Sequence, residues 1–491
     1  MIRQSVLYAI LLVFPLFGAS AQEPGLPVSF EQAVEMVNRD NKSIRIAEQG
    51  LDWAKSERQR LNSFWYPRIS ASGAYVHMAN DIEVKESLSA FTDPVKDFIH
   101  SIDPGEQIIT SLLNNLGSHS FSVPLAPRNV STIDATVALP IFTGGKRIYA
   151  GRIGKSMVGA AEVNRKQVSA DQQVLLVETY FGVRLGQKIV EVRQQTYDAL
   201  EQHFQNALKL EATGMLTKTE RLLFQVNRDE AKRELETAVK DLSVAQNAFK
   251  TLVQIETDEN ILPVSPLFIN ESLPALDYFK SLVGRDNYIV QGLGIQQDIQ
   301  QNQIKIANSA YMPAIELFGK QTLYSSGIRK NLVPRSLIGV GFTWNLFDGL
   351  GREKQIRQAK INHRILTVEK EKAADDLTLA VDKFYNQTQT ALDNVTALQT
   401  TVEMSREIVR ARHKSFQEGM ATPTEVIDAE LLLSKVRVAI LMAYYQFDTG
   451  LINLLAVCGM PESFDQYSRN GKDETSLTDR RTDAVNGTIN N

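Results

Sequence analysis

The sequence is poor in cysteine and has no excess of positive charge. Its one cysteine, Cys458, excludes an intrachain disulfide. A lone thiol is more often a small buried apolar group than a reactive one, so we expect Cys458 to be buried and inert. The 53 basic and 57 acidic residues give a formal net charge of −4. This balance indicates no nucleic-acid partner.

Signals for catalysis, cofactors and metals are also scarce. The six histidines are scattered without the spacing of metal ligands, and no arrangement of serine, histidine and aspartate indicates a nucleophile. The segment "TGGKR" at 143–147 resembles a phosphate-binding loop but lacks its earlier glycine. We expect neither an enzyme nor a bound cofactor or metal.

Long apolar runs are confined to the N-terminus. Residues 1–21 begin with Arg3, are apolar from Val6 to Phe17 and end in Ala-Ser-Ala, which is typical of a signal peptide. The mature chain is expected to start near Gln22. No later segment has the roughly 20 apolar residues of a membrane-spanning helix. We therefore expect an exported protein without such a helix.

The sequence does contain an internal duplication. Arg39-Asp40-Asn41 recurs as Arg285-Asp286-Asn287, and "LPIFTGGKR" at 139–147 aligns with "WNLFDGLGR" at 344–352. The offset between the copies falls from 246 to 205 residues, so the first copy carries 41 additional residues. The predicted segments are a first repeat at 22–262, with its additional residues in a polar extracellular loop with some helical turns at about 81–130, a second repeat at 263–460, and a polar, disordered tail at 461–491.

Each copy combines helices with two strands. Segments 41–65 and 287–311 carry a helical pattern that stops at a proline. The residues that follow alternate between apolar and polar, as in strands with two unlike faces. The predicted strands are about 67–80 and 131–143 in the first copy, and about 313–325 and 335–347 in the second.

Glycine turns connect the return strands to long helices. These strand-to-helix turns contain Gly144, Gly145, Gly349 and Gly351. In each copy, 70 residues without proline separate the first of these glycines from a second glycine, at Gly214 or Gly419, which as helix is about 100 Å. A shorter helix then follows, over about 217–253 or 422–457.

Strands with one apolar and one polar face are typical of transmembrane β-barrels. One chain supplies four strands, fewer than the eight of the smallest such barrels, and a sheet in lipid must close. We therefore predict a mostly α-helical protein with a transmembrane β-barrel that other copies of the chain complete. Three copies would give a barrel of twelve strands and, by the same count, a tunnel of twelve helices. A simple long coiled coil is the alternative, but it leaves the amphipathic strands unexplained.

The motifs together resemble the TolC family of outer membrane channel-tunnel proteins. They include "SFEQAVEMVNRDN" at 29–41, the two glycine turns, and "EGMATPTEVIDAE" at 418–430. The similarity covers about 28–460. It implies a homotrimer in the outer membrane of a Gram-negative bacterium, a tunnel in the periplasm, and a belt around it from about 260–280 and 459–467. The implied partners are a periplasmic adaptor protein, an inner-membrane transporter and the lipid bilayer.

The phrases "ATGMLTKTERL" and "EGMATPTEVID" predict two matching helix corners. Glycine at Gly214 and Gly419 permits the positive φ that ends a helix, and each following Thr-x-x-Glu is a capping box. We expect these corners to form the docking tip for the adaptor. The residues concerned are Gly214, Met215, Leu216, Thr217, Gly419, Met420, Ala421 and Thr422.

The family resemblance also implies a gate at the periplasmic entrance. Glu425 and Asp428 match acidic residues that face the pore in relatives, and Glu220 matches an acid nearby; in a trimer they form rings of carboxylates that favour cations. Capping alone also explains Glu220 and Glu425. Ala421 stands where some relatives carry a latch arginine, for which Arg221 or Lys218 is a possible substitute.

Two functions remain open from the sequence. The first is a passive exit duct of a tripartite efflux or type I secretion system, energised by the inner-membrane partner. The second is a trimeric structural or adhesive stalk that the barrel only anchors. Ion conductance distinguishes them, because only the duct conducts.

Overall fold

The computed structural model describes residues 26–102, 107–255, 261–326 and 334–474. The predicted signal peptide lies outside these residues. The chain divides into two compact units. Among the described residues, the first unit comprises those of Met1–Leu51, Ala161–Gly294 and Val368–Asn491, and the second those of Asp52–Ala160 and Ile295–Thr367.

The protein is mostly helical. The α-helices are α1 (Phe30–Asp40), α2 (Lys42–Asn62), α3 (Ser89–Ile102), α4 (Gln107–Gly117), α5 (Lys146–Ala212), α6 (Lys218–Val253), α7 (Leu276–Asp286), α8 (Tyr288–Ser309), α9 (Gly351–Gln417), α10 (Pro423–Val457) and α11 (Phe464–Arg469). The strands are β1 (Leu26–Val28), β2 (Arg68–His77), β3 (Ile82–Ser87), β4 (Ser120–Ala126), β5 (Asn129–Thr143), β6 (Ile261–Pro263), β7 (Phe268–Ile269), β8 (Ala314–Ser325), β9 (Ser336–Thr343) and β10 (Lys472–Asp473).

The duplication is visible in the helices. The long helices α5 and α9 each contain 67 residues, and the helices that follow, α6 and α10, contain 36 and 35. Within the described ranges, no helix combines the length and the apolar character needed to cross a membrane.

The core of the first unit is a cluster of aromatic side chains. Phe30 of α1 contacts Tyr180 and Phe181 of α5, with ring centroids 5.4 Å apart in both pairs. The Tyr180 hydroxyl donates to the carbonyl of Val28 at 2.8 Å and accepts from the amide of Ser265 at 2.9 Å. These bonds attach the parallel β1–β6 pair to the long helix, because Val28 ends β1.

The C-terminal segment contributes to the same core. Phe464 of α11 is fully buried and lies 5.5 Å from Phe30 by ring centroids. Strand β10 pairs antiparallel with β7, and Glu474 is buried against Arg184, with 2.9 Å between Oε1 and Nη2. The prediction of a disordered tail is therefore wrong for 461–474. Although this segment is polar in composition, its few contacts with the core are enough to order it. Residues 475–491 lie outside the described part of the chain.

The single cysteine is buried as expected. Cys458 follows α10 and has no exposed surface, and its thiol donates to the carbonyl of Phe279 at 3.5 Å. Burial raises the pKa of the thiol to about 12. The thiolate form that reacts with oxidants and metals is therefore suppressed.

The second unit contains a four-stranded antiparallel sheet in the order β2-β5-β8-β9. Strands β2, β8 and β9 fall within the ranges expected from alternation, and β5 begins two residues before its expected range. Apolar residues pair with apolar residues across the sheet, as in Ile69 with Val137 and Leu317 with Val340. The apolar face is exposed in a single chain: Ile338 retains 84% of its accessible surface and Phe342 75%.

The additional residues of the first repeat form an ordered insertion. Strands β3 and β4 pair antiparallel, and helices α3 and α4 lie between them in the chain. The expected helical turns are present, but as two full helices, so the segment is more regular and more apolar than the expected polar loop. Phe91, Val95, Phe98 and Ile102 recur at helical spacing and form an exposed apolar stripe. The polar residues interspersed along the segment obscured this periodicity.

Candidate functional site

The two helix corners have the same backbone geometry. Gly214 has φ 75° and Gly419 has φ 74°, values that favour glycine. The amide of the next residue, Met215 or Met420, donates to the carbonyl five residues earlier at 2.9 Å or 2.8 Å. This is the hydrogen bond that closes a Schellman helix end. Both corners are thus fixed by local chemistry.

A capping box starts the helix after each corner. The amide of Thr217 donates to Glu220 Oε2 at 2.8 Å, and the amide of Thr422 donates to Glu425 Oε2 at 2.8 Å. Each glutamate amide donates back to the threonine hydroxyl at 3.3 Å or 3.4 Å. Pro423 occupies the first helical position. The predicted capping boxes are confirmed.

The caps also set the charge of the two glutamates. Hydrogen bonds from the Thr217 hydroxyl and amide lower the pKa of Glu220. The amide of Thr422 and the nearby charge of Arg412 lower the pKa of Glu425. Both carboxylates are therefore ionised at neutral pH.

The corners differ in their arginines. Arg412 Nη1 donates to Glu425 Oε1 at 2.9 Å, which ties the end of α9 to the start of α10. At the first corner, Arg221 Nε donates instead to Glu211 Oε2 at 3.0 Å. Arg221 is therefore engaged within its own corner, and Lys218 is exposed. Sequence analysis missed Arg412, because it is distant in sequence from the position expected for a latch.

The predicted gate residues lie at the corners without contacting one another. Asp428 is exposed one turn beyond Glu425 on α10, and no hydrogen bond or ion pair of its carboxylate occurs within the described ranges. Glu220 belongs to the other corner. Of the three predicted gate residues, a single chain therefore presents two at the second corner and one at the first.

The predicted docking residues form an exposed apolar tip at each corner. Met215 is 78% exposed and Met420 is 71% exposed. Leu216 and Ala421 are half-buried beside them. Exposed methionines give each corner a flexible apolar surface, which suits contact with a protein partner.

The strand-to-helix turns in the second unit differ slightly from expectation. Gly144 and Gly145 have φ of 61° and 86°, but in the second copy Gly349 and Leu350 take these positions, with φ 69° and 67°. Gly351 is the first residue of α9 instead. A Cβ at Gly144 would lie 2.7 Å from the carbonyl oxygen of Ser309, so this turn needs glycine for space as well.

An arginine follows each turn and was missed by sequence analysis. Arg147 donates to the carbonyls of Phe64 and Ile141 at 3.2 and 2.8 Å and stacks on Trp65 at 4.2 Å. Arg352 donates to the carbonyls of Ala310, Asn345 and Leu346 at 3.3, 2.8 and 2.9 Å and stacks on Tyr311 at 4.7 Å. Both arginines are the last residues of the aligned turn motifs. Comparison of the two repeats could therefore have identified them from the sequence.

Two of the histidines, expected to be scattered, converge near the second corner. His203 Nε2 lies 3.2 Å from His413 Nε2, which lies 2.8 Å from Glu430 Oε1. Burial raises the pKa of Glu430, but hydrogen bonds from both histidines outweigh this effect and lower it to about 2. Sequence spacing did not indicate the group, because its residues belong to three different helices.

Comparisons with known proteins show which family the chain resembles. Residues 291–460 match the family described as outer membrane efflux protein. The chain is 23% identical over 328 residues to the alkaline protease secretion protein AprF of Pseudomonas aeruginosa, covering 63% of this chain and 66% of AprF, just under two thirds of that relative. It is 20% identical to the outer membrane efflux protein BepC of Brucella suis, over 70% of this chain and 76% of BepC.

The fold agrees with a solved channel structure. CusC, whose crystal structures concern folding and transmembrane channel formation, matches with a TM-score of 0.69 at 14% identity, over 91% of this chain and 95% of CusC. The matched family and BepC are both described as outer membrane efflux proteins. The predicted resemblance to the TolC family of outer membrane efflux proteins is confirmed, and the protein is located in the outer membrane.

Proposed function

We propose that the protein is the passive exit duct of a tripartite efflux or type I secretion system. The observation that carries this proposal is the exposed apolar face of the β2-β5-β8-β9 sheet, in an outer membrane protein. The secretion and efflux roles in the names of AprF and BepC support the direction of transport, from the periplasm to the exterior.

Closure of the sheet requires additional copies of the chain. Strands β2 and β9 each pair on one side only within the described sheet. Lipid offers no hydrogen bonds to the free side, so both edges must pair with another copy. Three copies supply twelve strands, within the range of known barrels, whereas one copy supplies four. The proposed active form is a homotrimer. Its helical tunnel is built from α5, α6, α9 and α10 of each of the three copies.

The acidic residues of the corners form the proposed periplasmic gate. In a trimer, Asp428, Glu425 and Glu220 become rings of carboxylates, which favour cations and repel anions. The exposed carboxylate of Asp428, which has no ion pair among the described residues, supports this role, because burial or pairing would weaken its field. Arg412 holds Glu425 and is the proposed latch within each chain.

The exposed tips of both corners form the proposed docking surface. Met215 and Met420 project most strongly, and the half-buried Leu216 and Ala421 extend the apolar surface. A periplasmic adaptor protein is the proposed partner, and it joins the duct to an inner-membrane transporter that supplies the energy.

Conductance in planar bilayers tests the duct and the gate separately. The purified protein should form ion channels, whereas a stalk that is only anchored should give none. The double variant Glu425→Gln with Asp428→Asn removes two charges per chain, while the introduced glutamine side chain retains the capping acceptor. We expect its conductance to change and its preference for cations to fall.

A matched control removes equal charge elsewhere. Glu371 and Asp375 are exposed on α9, so Glu371→Gln with Asp375→Asn should conduct like the parent. Absence of conductance in the parent would contradict the duct. Unchanged conductance and selectivity in the corner variant would contradict the gate and leave the duct standing.

A further inference from the structure

We propose that His203, His413 and Glu430 bind one divalent transition-metal ion of the Zn²⁺ type. His203 lies on α5 of the first repeat, whereas His413 and Glu430 lie on α9 and α10 at the second corner. The ion would join three helices of the first unit at one point. This inference does not depend on the proposed transport function.

The distances suit a tetrahedral ion. The Nε2 atoms of His203 and His413 are 3.2 Å apart, and Glu430 Oε1 lies 2.8 Å from His413 Nε2 and 3.8 Å from His203 Nε2. Zinc binds such atoms at about 2.0–2.1 Å, so three tetrahedral ligand atoms are roughly 3.3 Å from one another. The observed separations scatter around that value, and shifts of about 0.5 Å would complete the site.

The donor set also selects the class of ion. Two imidazole nitrogens and one carboxylate oxygen are a known ligand set for zinc, with water in the fourth position. Imidazole favours Zn²⁺, Cu²⁺ and Ni²⁺, whereas Mg²⁺ and Ca²⁺ prefer oxygen ligands alone. The chemistry therefore indicates a transition metal over an alkaline-earth ion.

The surroundings hold the ligands and leave one side open. His203 and Glu430 retain 8% and 9% of their accessible surface, and the His203 ring stacks on Phe224 at 6.0 Å. The His413 side chain remains 34% exposed. An ion and its water can therefore enter beside His413, while the other two ligands are fixed by packing.

The repeat does not account for these residues. At the 205-residue offset, His203 aligns with Ile408, and His413 aligns with Leu208. Glu430 aligns with Gln225. The second copy of each position thus lacks the ligand, so the helical architecture alone requires neither two histidines nor a carboxylate there. A local binding role explains why three ligating groups meet at one place.

Metal binding is measured on the full-length protein in detergent, purified without a histidine tag and stripped with a chelator. Equilibrium dialysis with added Zn²⁺ should give one ion per chain, and millimolar Mg²⁺ should not compete. Bound Zn²⁺ should raise the unfolding temperature, since a ligand specific for the native state stabilises it. Co²⁺ should give the intense visible spectrum of a four-coordinate ion, which Zn²⁺ then abolishes.

Conservative variants identify the ligands. His413→Gln and Glu430→Gln each remove one ligand with little change of volume, and we expect each to weaken Zn²⁺ binding at least about tenfold. His363→Gln makes the same histidine change in α9 outside the cluster and should bind like the parent. If a variant fails to fold, the Co²⁺ spectrum of the parent protein still shows whether a four-coordinate metal site exists.

Either of two results would overturn the site. One is a parent protein that binds no stoichiometric Zn²⁺ and gives no four-coordinate Co²⁺ spectrum. The other is parent-like affinity in folded His413→Gln and Glu430→Gln variants, since binding would then occur elsewhere.

Discussion

Asn41 and Asn287 occupy the same place in the two repeats and share two contacts, while Asn41 also donates to Gln172 Oε1 at 2.9 Å. Each side-chain oxygen accepts from the amide two residues later, at 2.8 Å in both cases, and so caps α2 or α8. Each side-chain amide donates to a carbonyl at the end of the last helix of its own repeat: Leu252 at 3.4 Å and Val457 at 2.8 Å. One buried amide thus fixes the start of one helix against the end of another.

Replacing either asparagine by alanine should destabilise the first unit. The change removes a helix cap, worth about 1 kcal/mol, and leaves a carbonyl of low exposure without its donor, worth about 1–3 kcal/mol. We expect a loss of about 2 kcal/mol or more for Asn41→Ala and for Asn287→Ala in thermal unfolding followed by circular dichroism. Asn38→Ala, at an exposed position of α1, should change stability by less than about 0.5 kcal/mol.

The aspartate variant Asn41→Asp separates the two contributions. It keeps the capping oxygen and loses the donor, so it should fall between the parent and Asn41→Ala. Equal unfolding temperatures for Asn41→Ala and Asn38→Ala would show that neither contact matters.

Lysine at either turn arginine should weaken the second unit. The guanidinium of Arg352 donates to three carbonyls, whereas the lysine ammonium is a point charge on a flexible stem and lacks that planar geometry. Hydrogen bonds to charged groups contribute about 1.5–3 kcal/mol each, so we expect Arg352→Lys to lower heat resistance clearly. Arg147→Lys should do so less, because Arg147 makes two such bonds and is less buried.

In the measurement, samples are heated to a series of temperatures and then separated on gels kept cold. The quantity compared is the temperature at which the band of the folded, compact form disappears. Arg364→Lys, at an exposed position of α9, is the matched control and should behave like the parent. If all three lysine variants melted together, the turn arginines would have no role in stability.

Asp448 should make the protein less stable as the pH rises. This residue is fully buried in α10, and burial together with the nearby Glu474 raises its pKa well above the ordinary value. The folded chain therefore keeps a proton that the unfolded chain releases at about pH 4. Stability is lost as pH rises above that value, because the unfolded state then binds fewer protons.

Asp448→Asn should remove this penalty while preserving the side-chain volume. We expect the variant to unfold at a higher temperature than the parent at about pH 7, and the difference to shrink toward about pH 4. Asp241→Asn, at an exposed position of α6, should give no such pH-dependent difference. A variant that is less stable than the parent at neutral pH would mean that the Asp448 carboxylate is needed as an ion.

The duplicated elements were predictable because local chemistry determines them. Gly214 and Gly419 permit a backbone that other residues resist, and Thr217 and Thr422 cap the helices that follow. Such features depend on a few neighbouring residues and recur at a fixed offset. The alternation in β5 is equally local, since side chains of a strand point to opposite faces.

The remaining features depend on contacts between distant segments. His203 and His413 are 210 positions apart, and no periodicity relates them. Phe464 stands in a polar stretch, and its burial among aromatic residues depends on the tertiary structure. The stripe at Phe91 and Phe98 was present in the sequence, but composition alone indicated a polar loop.

The pairing of β10 with β7 has a consequence for synthesis of the chain. A nascent polypeptide that stops before Phe464 lacks a central ring of the aromatic cluster and the last strand, so its core remains open. Incomplete products of translation should therefore remain sensitive to proteases. Degradation should remove them before they are incorporated into assemblies with intact chains.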